Sequence, residues 1–203
     1  MRYNAQVFFY RQKLDNQLTL KISTNLKNLR HQRGWSLDMT SQKTGVSKAM
    51  LGQIERGESS PTIATLWKIA SGFEVSFSYF LDTLEADSKN IIHRKQTLNQ
   101  IHRQDNKIKV MTVFPFDKKL GFEVFIIELL PGCMHLSPAH QTGVIEHVIP
   151  VQGSIEILID NKWHKVNQHE GLRFAADLPH GYRNLSDVPA LFHDMIHYRK
   201  ISK

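Results

Sequence analysis

Apolar side chains recur at helical spacing through the first eighty or so residues and fall into short β-type runs beyond residue 107. Leu26 and Leu29 are spaced as on one helix, which ends at Arg33-Gly34. Residues 36–44 form a second helical segment, capped by Ser36 and running into Gly45. Ser47 caps a third, which Gly57 stops. Pro61 breaks the chain, and residues 62–70 then carry Ile63, Leu66, Ile69 and Ala70 at helical spacing. Residues 76–81 are apolar on one side. The pattern predicts five short helices within about sixty residues, the second and third joined as helix, short turn, helix.

The third of these, Val46-Ser47-Lys48-Ala49-Met50-Leu51-Gly52-Gln53-Ile54-Glu55-Arg56, sorts into two arcs at about 100° per residue. Met50, Leu51, Ile54 and Glu55 share the inward arc. Lys48, Ala49, Gly52, Gln53 and Arg56 share the outward one, which is small, amide-bearing, cationic and free of acids. A helix entering the DNA major groove needs those properties, for close approach and for base edges and phosphates. An ordinary amphipathic helix with a solvated face fits the same residues, so this segment alone does not decide.

The second half reads differently. Residues 84–107 are polar and charged without an apolar period and predict a linker, with some helix around residues 91–101. Residues 108–116, 120–130, 144–151, 154–159 and 190–198 are β-type runs, punctuated by Pro131-Gly132, Gln152-Gly153 and Asp160-Asn161 as turns. Many short strands predict a sandwich or barrel. The organisation is therefore 1–21 as an extension and the start of helix 1, 22–83 as a helical domain, 84–107 as linker and 108–203 as a β domain.

Composition narrows the partners. The 203 residues carry a net charge of +7, which suits a polyanion. Residues 22–70 hold seven Lys/Arg against three Asp/Glu, so the charge supports nucleic-acid binding without localising it. A single cysteine, Cys133, excludes a disulfide within the chain and fits a cytoplasmic setting. It reads as a small buried hydrophobe before it reads as a redox sensor. No run of 18 apolar residues exists, so no transmembrane helix and no membrane partner are expected. Residues 1–16 read equally as an arm, a partner-binding extension or an upstream-extended start.

Residues 22–81 resemble the helix-turn-helix domain of the xenobiotic-response-element (Cro/C1, lambda-repressor-like) family. Leu26, Leu29, Arg30, Gly34, Ser36, Leu37, Gly45, Val46, Ser47, Leu51, Ile54, Glu55, Gly57, Pro61, Leu66 and Ala70 carry the resemblance. Thr40-Ser41 departs from the Leu-Ala usual there, with Met39 the candidate to turn inward instead. The resemblance implies base reading by Lys48, Ala49 and Gln53, phosphate contacts by Ser47 and Arg56, and a structural ion pair between Arg30 and Glu55. Gln suits adenine, Lys guanine and an Ala methyl thymine.

Residues 108–200 resemble the cupin family, a double-stranded β-helix or jelly-roll barrel. Glu146, six residues and Gly153 match one motif; His180, three residues and Asn184 match the other, preceded by Phe174-Ala175-Ala176-Asp177-Leu178-Pro179. The resemblance places the ligand positions of metal-binding cupins at His140, Thr142, Glu146 and His180. Thr142 stands where a histidine is usual, and His169 where a glycine opens the second motif. Two histidines and a carboxylate can hold Fe(II), Zn(II) or Ni(II), although regulator-type cupins often lose ligands and keep the pocket. Eight of the eleven histidines lie between residues 135 and 197. His135, His147, His164, His193 and His197 read as ordinary half-buried or surface residues before they read as ligands.

The expected whole is an α + β two-domain chain: a five-helix DNA-binding domain and a cupin barrel. It resembles enterobacterial helix-turn-helix/cupin regulators linked to sulfur utilisation, through Thr65-Leu66-Trp67-Lys68-Ile69-Ala70, Gly143-Val144-Ile145-Glu146-His147-Val148 and Arg173-Phe174-Ala175-Ala176-Asp177 besides the third helix. That implies a homodimeric regulator on a double-stranded DNA operator, not an enzyme, with a small-molecule effector in the barrel. A metal-dependent cupin enzyme, such as a thiol dioxygenase or isomerase tethered to DNA, is the alternative; a phage-type repressor or antitoxin leaves the barrel unexplained.

Overall fold

The structure is a computed structural model that describes residues 2–81 and 107–198, with side chains from residue 17 onward. The predicted linker and its helix around residues 91–101 lie outside the described residues.

The helical half holds four α-helices and one 3-10 turn, not five short helices: α1 (Arg2–Gln32), α2 (Leu37–Thr44), α3 (Lys48–Glu55), α4 (Ile63–Phe73) and the turn Phe77–Phe80. The difference lies at the ends. Helix α1 is a continuous 31-residue helix that absorbs the expected N-terminal extension. The last predicted helix is four residues long and stays 3-10. Two caps form where the sequence places them: Ser36 and Ser47 accept from the backbone N–H groups of Met39 and Met50, and Thr62 caps α4 in the same way by accepting from Thr65. Gly45 takes the left-handed φ of 66° that turns the chain from α2 to α3.

Two inward–outward expectations fail. Met39 stays exposed, and Thr40 is fully buried in its place because its hydroxyl donates to the Ser36 carbonyl. Met50 is also exposed while Gly52 is buried, since a side chain there would meet the Arg56 guanidinium at 3.1 Å. Gly72 has no such latitude: a Cβ would lie 2.7 Å from the Lys43 carbonyl and Thr44 backbone, so its hydrogen lets α4 approach α2.

The second half holds nine strands: β1 (Ile108–Asp117), β2 (Phe122–Leu129), β3 (Met134–Ser137), β4 (Ile145–Gln152), β5 (Ile155–Ile159), β6 (Lys162–Val166), β7 (Leu172–Ala175), β8 (His180–Arg183) and β9 (Ala190–His197). They form two antiparallel sheets, ordered β1-β2-β9-β4-β7 and β3-β8-β5-β6. No ladder joins one sheet to the other, so the expected barrel is two open sheets. Asp160 and Asn161, both at positive φ, make the two-residue turn between β5 and β6. His169 sits at φ 71°, which explains why a glycine suits that position. Asn184 is fully buried and donates to the Leu129 and Val188 carbonyls, tying the end of β8 to β2.

The helical half docks on the open side of the sandwich. Glu123 of β2 accepts hydrogen bonds from the backbone N–H groups of Phe77 and Ser78 and from the Tyr198 hydroxyl. The Gln141 amide donates to the Val75 carbonyl, and the Phe116 N–H donates to the Ser78 hydroxyl. Asn25 and Lys21 of α1 hold the same segment from the other side, at the Tyr79 and Leu81 carbonyls.

Candidate functional site

Two sites emerge. At the surface of the helical half, Ser47, Lys48, Ala49, Gln53 and Arg56 are all exposed on or beside α3. Arg30 holds that helix from α1 through a two-pronged pair with Glu55, Nε to Oε1 at 2.6 Å and Nη2 to Oε2 at 2.9 Å, and Nη1 donates to the Trp35 carbonyl. Both groups are largely buried, so the pair is structural and Arg30 is committed to it. Lys48 pairs with Asp38 at 2.7 Å, and the Arg56 guanidinium pairs with Glu58 at 2.7 Å, in both cases with exposed partners. Solvent-exposed pairs of this kind add little to stability, so they do not commit either cation.

The second site is buried. His140, Glu146 and His180 bring one ligand atom each within 4.8 Å of one another. Alternation aims Glu146 inward from β4 and His180 from the start of β8, while His140 comes from the loop before β4. The His180 Nδ1–H donates to the Leu178 carbonyl at 2.9 Å, which turns Nε2 toward Glu146 Oε1, 3.5 Å away. His140 Nε2 lies 2.8 Å from the same oxygen. The Tyr182 hydroxyl donates to Glu146 Oε2. Burial alone pushes Glu146 upward, but the His140 hydrogen bond, the fields of both histidines and the Tyr182 hydroxyl hold it below the usual carboxylate range. Burial pushes His140 toward its neutral form against the pull of Glu146. Two imidazoles and one ionised carboxylate, with His180 Nε2 buried and unpartnered, fit a divalent transition ion with open coordination positions.

Thr142 does not join them. It is exposed in the turn before β4, away from the buried cluster, so the four expected positions reduce to three. Around the cluster lies a cavity of about 30 Å³, lined on its polar side by His135, Ser137, Tyr182 and Asp194 as well. Asp194, on β9, was not legible as a site residue; its neighbours His193 and His197 were weighed instead, and both point outward and are exposed. The alternation of Phe192, Asp194 and Ile196 is the signal that places an acid on the inward face. Burial, then the charges of Glu146 and Glu123, push the Asp194 carboxyl well above its usual range. His135 also lines the cavity, against expectation, whereas His147 and His164 lie outside it. Cys133 is buried, as a small hydrophobe would be.

The remaining wall comes from the helical half. Ile63 and Trp67 of α4 and Phe77 of the 3-10 turn line the same cavity. The Trp67 indole stacks on the His140 ring with centroids 3.6 Å apart and on Phe77 at 4.5 Å.

Comparison with known proteins agrees with this architecture. Residues 26–80 match the helix-turn-helix family, and residues 125–196 match the cupin domain family. The chain is 45% identical over 177 residues to the HTH-type transcriptional regulator SutR of Escherichia coli K12, covering 87% of this chain and 94% of that one. It belongs to the helix-turn-helix transcriptional regulators that carry a cupin domain. A crystal structure of an HTH_3 family transcriptional regulator from Vibrio cholerae superposes with a TM-score of 0.77 at 42% identity, over 92% of this chain and 99% of that one. The HTH-type transcriptional regulator SinR of Bacillus subtilis is 36% identical over 62 residues, 30% of this chain and 56% of SinR. Membership of this family makes the chain a DNA-binding regulator and not an enzyme. No helix among the described residues is long and apolar enough to cross a membrane.

Proposed function

We propose that this regulator is a cytoplasmic homodimer that reads an operator with α3 and senses a small effector in its cupin cavity, with sulfur-acquisition genes as its targets. One observation carries the DNA-reading part. The exposed side chains Lys48, Ala49 and Gln53 stand on a helix that is capped by Ser47 and braced by the buried Arg30–Glu55 pair. Lys48, Ala49 and Gln53 face base edges, while Ser47 and Arg56 meet phosphates that set register without reading sequence. A dimer places two such helices about one DNA turn apart. The sulfur assignment is supported by the sequence resemblance described above and by the likeness to SutR over most of both chains.

For the cavity, His140, Glu146 and His180 are the residues that would hold a divalent ion, which would supply a Lewis-acidic anchor for a small ligand. Selection of genomic fragments by the purified protein tests the reading. The expected result is a near-palindromic site upstream of sulfur-uptake genes. Sites at unrelated promoters overturn the sulfur assignment, and absence of sequence preference overturns base reading by α3. Elemental analysis of protein purified without chelator tests the metal: one transition ion per chain, absent from His180→Ala, is expected. A metal-free wild-type chain removes the ion.

A further inference from the structure

We infer that the effector site is built by both domains. Ile63, Trp67 and Phe77 of the DNA-binding half form its apolar wall, and Trp67 reports its occupant to the DNA-binding helices. The inference rests on the effector reading above and specifies the ligand: a small molecule with a polar, metal- or imidazole-binding end and a flat or apolar side that lies against the indole.

The geometry of α4 carries the argument. Ile63 and Trp67 are four residues apart and share the face turned to the cavity. Leu66, Ile69, Ala70 and Phe73 are buried as well, so α4 is apolar on two sides. One side holds the helical half together and the other closes the cupin. A helix apolar over most of its circumference is expected only where it is enclosed by two partners.

The cavity of about 30 Å³ has room for an ion and two or so water-sized groups. Anything larger needs a wall to give way. The two sheets are held by continuous backbone ladders. Among the described residues the helical wall has no backbone ladder to either sheet; side-chain packing and hydrogen bonds at Glu123, Tyr198, Gln141 and Ser78 hold it. It is therefore the wall that moves. Helix α4 bears directly on α2 through Gly72, and α2 turns at Gly45 into α3. A ligand that displaces Trp67 thus shifts the frame on which α3 is mounted, and its effect on DNA equals its difference in affinity for the docked and undocked arrangements.

The test uses the full chain as wild type, Trp67→Phe, Trp67→Ala, Glu123→Gln and, as a control on the outer face of the other sheet, Trp163→Phe. Hydrogen exchange at the Phe77 and Ser78 amides, and affinity for the selected operator, need no ligand. Trp67→Ala and Glu123→Gln are expected to speed that exchange at least tenfold and to move operator affinity at least fivefold in the same direction. Trp67→Phe should fall between, and Trp163→Phe should match wild type. Glu123 lies on β2 and touches the helical half at the Phe77 and Ser78 amides, so helical circular dichroism of Glu123→Gln equal to wild type is required to exclude damage to the helical core. Faster exchange with operator affinity within twofold of wild type overturns the coupling, and unchanged exchange overturns the wall. Co(II) alone serves as the occupant probe. It should quench tryptophan emission in wild type and Trp163→Phe, but not in Trp67→Phe at equal Co(II) stoichiometry. Equal quenching in Trp67→Phe places Trp67 off the site. Failure of Co(II) to bind any variant sinks the metal reading, while exchange and operator affinity still decide the coupling.

Discussion

In the proposed reading of DNA, Gln53 is the residue on which sequence specificity turns. Its amide is exposed and carries both a donor and an acceptor, whereas Lys48 and Arg56 are cations that face Asp38 and Glu58. Gln53→Ala is expected to relax one base position at a cost of about 1–3 kcal/mol, measured as the ratio of operator to random-DNA affinity. Arg56→Ala should instead weaken all DNA alike and lower the salt slope by about one unit. Equal losses on operator and random DNA for Gln53→Ala would remove its base-reading role. In the cavity, Asp194 makes stability depend on pH. Its folded value is raised above the 3.8 of an exposed aspartate, so the folded state holds the proton more tightly than the unfolded one. That stability is complete below the unfolded value and is lost as pH rises through the folded one. Asp194→Asn cannot ionise and escapes the loss. Its melting temperature relative to wild type should climb as pH rises above 4, by roughly 2–4 °C for each kcal/mol recovered. A gap that stays constant with pH contradicts this. Glu146 and His180 were legible as candidates because they sit at fixed offsets from Gly153 and Asn184 in the cupin motifs, and the Arg30–Glu55 pair because the helix-turn-helix resemblance implies it. Asp194 and His135 belong to no motif, and only the inward alternation of their strands brings them to the cavity; Tyr182 is one of the unspecified residues between His180 and Asn184.

At the scale of elements, caps and turns made the helices readable: Ser36, Gly45, Ser47 and Pro61 punctuate them, and the hydroxyl and φ requirements are local. Strands β3, β7 and β8 have four residues each, too short to display a period, and only the cupin motifs hinted at two of them. Helix α4 was legible as a helix, but not as one with two buried faces, since helical spacing groups Ile63, Leu66, Trp67, Ile69 and Ala70 without saying which of them face a second partner. Its contact with α2 gives a clean expectation. Gly72→Ala puts a methyl 2.7 Å from backbone atoms that cannot swing aside, so it should destabilise the helical half by about 1–3 kcal/mol despite alanine's better helix propensity. Urea unfolding followed by helical circular dichroism measures it, and a stabilised variant would show that the α2–α4 contact is looser than drawn.

Over the whole molecule, the two halves share buried aromatic packing, with Trp67 stacked on both His140 and Phe77, and Phe77 edge-on to Phe125. Removing the helical half would leave that wall open, so heating the full chain should give coincident transitions by helical circular dichroism and by near-ultraviolet signals of the cupin half. Two separated transitions would show that the docking is weak. The sequence by itself determined the class of each half, because helical spacing, caps, turns and short strands are local, while the base-reading and phosphate-facing candidates, the Arg30–Glu55 pair and the cavity positions came to it through resemblance to the two families. Tertiary structure decided the rest. It excluded Thr142, turned Met39 and Met50 outward, and brought Asp194, His135 and Tyr182 into one cavity. It also made a tryptophan of the DNA-binding half part of the cupin's wall. Those outcomes depend on which faces of separate elements meet, and pairing between segments tens of residues apart leaves no periodic trace in either segment.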